Sequence, residues 1–298
     1  MLGSGVWAAM RTALMNKLER ASALDPIGDR LQPRVWSLLR PQRVKDALHG
    51  VWLGHPLHPA LVQIPMGAWF SSVVLDLMPG RRTRGQERAA TILVAVGTAS
   101  ALPAALTGIN DWSWLWQEER RVGLVHAATN TLAVAVYAGS LAARLRGRHG
   151  LGRTLGLVGL AAVSAGGYLG GHLVYKQTAQ VNQGTPDMHR VEYGWRRVAE
   201  VDSLPEGQML ARRVDNVPVV VYRDGSDITV MLARCAHQGG PLDQGKMIQV
   251  DGQACVVCPW HGSTFQLKDG EVVHGPSSTD QQVLPTRITN GVLEAALP

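Results

Sequence analysis

Cys235 and His237 stand one residue apart in "RCAHQGGPLDQG" (234–245), and Cys258 and His261 stand two apart in "CVVCPWHGSTF" (255–265). The chain has only three cysteines and ten histidines, so two mixed pairs, each followed closely by glycine, point to a metal centre. Two thiolates and two imidazoles suit a tetrahedral zinc ion. They equally suit an iron–sulfur cluster whose cysteines hold one iron and whose histidines hold the other. The third cysteine, Cys255, makes a C-V-V-C with Cys258; its apolar, β-branched neighbours predict a buried strand residue.

The elements that must hold these pairs differ sharply from the rest of the chain. From about residue 192 the sequence runs in short β-rich stretches, "VPVVVYRDGSDITVML" and "GEVVHGPSS", separated by Asp-Gly and Asn-Gly turn signals. A small all-β domain over 192–298 is expected, reached through a polar linker at 176–191. Before it, four segments near 57–78, 89–109, 122–143 and 154–175 are apolar over the length of a bilayer core. Strings such as "AATILVAVGTASALPAALTGI" present no polar face to water, which predicts an all-α transmembrane four-helix bundle over 51–175. Gly166/Gly170 and Gly167/Gly171 in the last segment allow close helix approach. Trp112, Trp114 and Trp116 fall where an interfacial aromatic belt would sit. Residues 1–50 are basic and broken by Pro26, Pro33 and Pro41, and read as an amphipathic segment on the membrane surface, with Trp36 and Trp52 as anchors.

Three cysteines leave no even set for a disulfide framework. The expected surroundings are the lipid bilayer rather than nucleic acid. The start of the chain offers no long apolar export segment and no twin arginine.

The arrangement C-x-H, twenty residues, C-x-x-H, with the words "CAHQGGPL" and "CPWHGSTF", resembles the Rieske 2Fe-2S family. The resemblance implies that Cys235 and Cys258 ligate the inner iron, and His237 and His261 the outer. It also makes the "GPSS" at 275–278 the covering proline loop. High-potential members of that family brace the two loops with a disulfide at positions matched here by Gly240 and Trp260, so the resemblance is to the ferredoxin-type branch. Ser263 stands where a hydroxyl bonds a bridging sulfide. Phe265 stands where those members carry a tyrosine bonded to a cysteine sulfur, which implies a lowered potential. A Rieske oxygenase needs a further iron site on a large domain after the cluster, and only 37 residues follow His261.

The stretch "GHPLHPALVQIPMGAWFSSVVLDL" resembles a bacterial four-helix membrane family without an assigned activity, sometimes fused to Rieske domains. Its histidines are read physically. His55 and His58 open the first helix, His126 lies about a turn into the third and His172 about a turn from the end of the fourth. Alternating helices bring all four near one membrane face. Intramembrane ionisable groups are costly and tend to be functional. Three readings stand for His58, His126 and His172: axial ligands of a b-type haem, hydrogen-bond partners of a quinone, or interfacial side chains bonded to backbone. Asp76, at the other end of the first helix, is expected to be an interfacial cap.

Loop charge does not decide orientation, because arginines on one side are matched by basic residues of the N-terminal segment. The absence of a twin arginine favours a cytoplasmic Rieske domain on a multi-pass protein of the bacterial cell membrane. The function expected is electron transfer between a redox enzyme, such as a dehydrogenase or hydrogenase, and the quinone pool or a cytochrome. On this reading the chain is a subunit of an oxidoreductase. Two further readings are a quinone oxidoreductase acting at the histidine face and a redox-sensing membrane regulator.

Overall fold

A computed structural model of the chain describes residues 3–79, 83–189 and 192–297. Arg81 and Arg82 of the loop used in the orientation argument, and the last two residues of the expected linker, lie outside these. The chain forms two compact units, Met1–Arg40 with Leu57–Ala179, and Pro41–Pro56 with Gln180–Pro298.

In the first unit, α1 (Gly3–Glu19) and α2 (Asp25–Leu38) precede the bundle. Its first span is α4 (Leu57–Leu61) running into α5 (Gln63–Leu77), and α6 (Arg84–Trp112), α7 (Gln117–Leu145) and α8 (His149–Tyr175) are the other three. All four are long and apolar enough to cross a membrane. Helix α6 starts at Thr83, whose Oγ1 accepts from the Gln86 N–H at 3.2 Å while the Gln86 side chain accepts from the Thr83 N–H at 3.0 Å. This reciprocal cap satisfies two amides that the helix cannot.

Small residues set the interior of the bundle. A Cβ on Gly97 would come within 2.6 Å of the Trp69 ring, and one on Gly159 within 2.7 Å of Tyr137. The two rings stack on each other at 4.3 Å with an interplanar angle of 2°. Val94, Ala101, Ala133 and Val163 complete that core, while Phe70, Val74, Ile92, Leu102, Leu106 and Leu132 face outward, as lipid-facing positions do. Asp76 corrects a sequence expectation. Instead of capping at an interface, it is buried and takes a two-pronged ion pair from the buried guanidinium of Arg144. A buried carboxylate is tolerable only when paired in this way.

The N-terminal helices dock on the bundle's own residues. Met15 and Val35 pack with Trp112, Leu115, Val122 and Leu173. Asp25 pairs through both oxygens with Arg121 at 2.7 Å, and Asp29 meets Arg120 at 3.1 Å. The tryptophan belt divides accordingly: Trp112 is buried and its indole N–H donates to the Arg120 carbonyl at 3.0 Å, whereas Trp116 stays exposed.

Among its described residues the second unit holds α3 (Gln42–His49), α9 (Thr185–Met188) and eleven strands: β1 (Gly194–Glu200), β2 (Met209–Val214), β3 (Val217–Asp224), β4 (Asp227–Leu232), β5 (Lys246–Val250), β6 (Gln253–Val257), β7 (Thr264–Gln266), β8 (Val272–His274), β9 (Val283–Leu284), β10 (Thr286–Thr289) and β11 (Val292–Leu297). They form three antiparallel sheets, ordered β1-β11-β10, β2-β3-β4-β9 and β5-β6-β7-β8. Strand β3 carries two cores because successive side chains alternate faces. Val217, Val219 and Val221 pack with Leu293, Ala295 and Leu297. Val220 and Tyr222 pack with Cys235, Cys258 and Phe265. The Asp-Gly and Asn-Gly signals become turns: Asp251/Gly252 and Asn290/Gly291 all take positive φ, which tight hairpins require.

Candidate metal centre

Two loops built on one backbone plan carry the Cys/His pairs. The first leaves β4, and its Cys235 N–H donates to the Gly240 carbonyl at 2.8 Å while the Gly239 N–H returns to the Cys235 carbonyl at 2.8 Å. The second joins β6 to β7, with Cys258 N–H donating to the Ser263 carbonyl at 2.8 Å and Gly262 N–H returning to Cys258 at 3.0 Å. Each fold-back needs a left-handed residue four places after the cysteine, and glycine supplies it at Gly239 (φ 73°) and Gly262 (φ 78°).

The plan brings like donors together. Cys235 and Cys258 are buried and share a hydrogen bond, which together with burial pushes the Cys235 thiol well above its ordinary range; the same bond draws Cys258 down to about 7 against the effect of its burial. Backbone amides of His237 and Gln238 point at the first sulfur, and those of Trp260 and His261 at the second. The His237 and His261 rings lie with centroids 5.0 Å apart, edge to face. Both ring nitrogens of His237 are buried without a hydrogen-bond partner. Burial, then the neighbouring His261 and His49, hold its protonation well below the ordinary histidine range. Burial likewise lowers His261.

This donor set fits a two-iron cluster. Among the described residues no three His, Cys, Asp or Glu side chains converge on a single ion. A thiol pair and an imidazole pair instead match irons with unlike ligands. The buried His237 nitrogens are the kind of orphan that a bonded group resolves. Gly240 shows how close the cradle is, because a Cβ there would sit 2.7 Å from the Cys258 sulfur and 3.1 Å from the Trp260 ring. Ser263 is fully buried, and its Oγ accepts from the Ser277 N–H at 2.9 Å, which leaves its own proton to donate. Phe265 is fully buried on β7. Cys255 is a buried residue of β6. Trp260 remains about half exposed.

Several bracing residues escaped the sequence reading. Gln281 ties the first loop: its Oε1 accepts from the Ala236 N–H at 2.8 Å, and its Nε2 donates to the Leu232 and Arg234 carbonyls, each at 2.8 Å. Arg234 pairs with buried Asp187 at 2.7 Å. Residues 41–56, with 41–50 expected at the membrane surface and 51–56 in the transmembrane domain, close on the proline loop, where Asp46 accepts from the Gly275 N–H at 2.9 Å and buried His49 packs so tightly that a Cβ on Gly275 would meet its ring at 2.8 Å. An Asp three residues before a His on a short helix carries no signal of such a partner 229 residues away.

Among the membrane histidines, His58 and His126 come together with ring centroids 6.3 Å apart. Nδ1 of His58 bonds the Ala104 carbonyl at 2.8 Å, and Nδ1 of His126 the Gly166 carbonyl at 2.8 Å. His172 is engaged elsewhere, its Nε2 2.7 Å from Glu19. His55 falls in the second unit and is exposed.

Comparison with known proteins matches residues 194–286 to the Rieske [2Fe-2S] domain and residues 54–183 to the predicted membrane protein family DUF2231. A Rieske domain-containing protein of Homo sapiens is 33% identical over 28% of this chain and 54% of its own, so the chain spans about half the length of that relative. The anthranilate 1,2-dioxygenase ferredoxin subunit of Burkholderia cepacia is 29% identical over 34% of this chain and 89% of its own. A solved ferredoxin of carbazole 1,9a-dioxygenase from Nocardioides aromaticivorans IC177 is 25% identical, covering 35% of this chain and 98% of that one with a TM-score of 0.32. With two unlike donor pairs on matching loops and four membrane-length helices already described, the chain is a membrane domain of the DUF2231 family joined to a C-terminal Rieske [2Fe-2S] electron-transfer domain.

Proposed function

We propose that the protein is a membrane-anchored electron carrier that links a redox enzyme to the quinone pool or to a haem protein. The observation that carries this reading is the pairing of like donors, two buried sulfurs and two imidazoles, by loops of one design. Cys235 and Cys258 would hold one iron and His237 and His261 the other, and the bound cluster would supply one-electron transfer.

The remaining roles belong to the chain's own side chains. Amides of residues 237, 238, 260 and 261 point at the cysteine sulfurs and stabilise negative charge there. Buried Ser263 offers a hydroxyl proton to the cluster. His237 is only 3% exposed, flanked by 180–182 and 277–279, whereas His261 is partly open beside the half-exposed Trp260. A partner therefore docks on the His261 and Trp260 edge. The ferredoxin subunits among the relatives favour a protein partner of the oxygenase or reductase kind. The protein is multi-pass in the bacterial cell membrane, with the Rieske domain on the cytoplasmic side.

Purification from native membrane tests the whole reading. The expected result is iron and acid-labile sulfide in equal amounts, a Rieske EPR signal on reduction, and co-purification of a redox protein released by Trp260→Ala. Stoichiometric zinc in place of iron would overturn it.

A further inference from the structure

The four spans are two copies of one helical hairpin. Helix pair α4/α5 with α6 is repeated by α7 with α8, and the register is written in what is buried. On the first helix of each copy, Pro65, Trp69, Ser72 and Asp76 are buried, and so are Ala133, Tyr137, Ser140 and Arg144, each sixty-eight residues later. On the second helix the buried residues are Ala90, Val94, Gly97, Ala101 and Ala104, answered by Gly152, Gly156, Gly159, Val163 and Gly166, each sixty-two residues later. The copies run in the same direction, as parallel repeats about an axis along the membrane normal do.

Matched residues of the first helices meet across that axis. Asp76 pairs with Arg144, and Trp69 stacks on Tyr137. Eleven residues before Trp69 and Tyr137, three helical turns away on the same face, stand His58 and His126, also sixty-eight residues apart. Their backbone settings match, while the side chains beside them differ, Thr107 Oγ1 lying 3.4 Å from His58 Nδ1 and the Asn130 amide beside the His126 ring. His58 bonds the Ala104 carbonyl and lies against Gly108, where a Cβ would come within 2.8 Å; His126 bonds the Gly166 carbonyl and lies against Gly170, where a Cβ would come within 3.1 Å. Both glycines are four residues beyond the carbonyl.

The two lower pairs satisfy each other, anion with cation and ring with ring. The histidine pair does not. Donation by Nδ1 to a carbonyl leaves Nε2 of each ring as the lone-pair atom. Two such acceptors call for an electron-pair acceptor between them. The Asn130 amide, which donates to the His126 carbonyl at 2.9 Å, is 3.4 Å from Nε2 of His126.

We propose that His58 and His126 are the axial ligands of one haem, with its iron on the pseudo-two-fold axis of the membrane domain. A metal–nitrogen bond of about 2 Å, with about 1.1 Å from nitrogen to ring centre, puts two opposed imidazole centroids about 6.2 Å apart; the observed separation is 6.3 Å, with the ring planes at 81° to each other. No third His, Cys, Asp or Glu joins them among the described residues, so a bare ion would lack ligands, whereas haem iron brings four nitrogens of its own. Both histidines are half-buried rather than sealed, which gives a planar macrocycle an approach from the side. The proposal deepens the electron-carrier reading and rests on it for purpose, while its geometry is independent of the Rieske domain.

The test is titration of the full-length protein, purified in mild detergent, with hemin. One equivalent should bind and give the low-spin spectrum of two imidazole ligands. His58→Ala and His126→Ala should each abolish that spectrum, while His172→Ala, whose ring bonds Glu19, should keep it. Circular dichroism and gel filtration check that each variant retains its helices. No hemin binding by folded protein, or a low-spin spectrum that survives both single variants, would overturn the proposal. Rieske EPR on the same samples separates the two readings, because loss of the cluster signal with haem ligation intact counts against the electron-carrier reading alone.

Discussion

The carboxylate of Asp46 accepts a hydrogen bond from the Gly275 N–H at 2.9 Å, with its second oxygen 3.1 Å from Nδ1 of His274, and so pins the proline loop beside Ser263 from a helix 229 residues earlier in the chain. Hydrogen bonds to a charged acceptor are worth about 1.5–3 kcal/mol. Asp46→Ala should therefore leave the cluster in place at first and let it bleach faster on warming. The visible absorbance followed at fixed temperature measures this, and an unchanged bleaching rate would show that the loop closes without Asp46.

Ligand assignment has a sharp signature. Cys258→Ser and His237→Ala should each abolish both iron and acid-labile sulfide, whereas Cys255→Ala, which only empties a buried position on β6, should keep both and lose stability by about 1 kcal/mol or less. Cluster loss in the Cys255 variant would place a third sulfur in the site.

The cluster's potential should follow its hydrogen bonds. Phe265 is fully buried in the core that holds both cysteines and has no hydroxyl to give. If Phe265→Tyr gives a cysteine sulfur a bond worth about 1 kcal/mol more in the reduced state, the midpoint rises by about 40 mV. Ser263→Ala should move it down by a similar amount. Protein-film voltammetry reads both, and opposite signs would refute the assignment of either side chain.

Acid should weaken the site in a defined window. The fold holds His237 neutral well below the ordinary histidine range because it is buried beside His261 and His49. As pH falls below about 6.5, the unfolded chain takes up a proton that the folded one refuses, so stability falls by up to about 1.4 kcal/mol per pH unit. Above that value the contribution is fully present. Denaturant unfolding of the cluster-free protein should show constant stability between pH 7 and 8 and lower stability below about 6.5; stability that rises on acidification would contradict this account.

Much of this protein is legible from local sequence because its determinants are local. Metal chemistry restricts donors to a few residue types at short spacing, so Cys235, His237, Cys258 and His261 stand out without a fold. Bilayer thickness restricts span length, so four apolar stretches identify four helices. What only the tertiary structure decided is which distant residues meet. Asp76 looks like a cap until Arg144 reaches it, Asp46 looks like a surface acid until Gly275 does, and residues 41–50 look like part of a membrane-surface segment until they close on the β unit. His58, His126 and His172 are alike in sequence, yet only the first two are set against matching carbonyls and glycines. Burial gives these pairings their energy, since a charge or an imidazole removed from water must find its partner in space rather than along the chain.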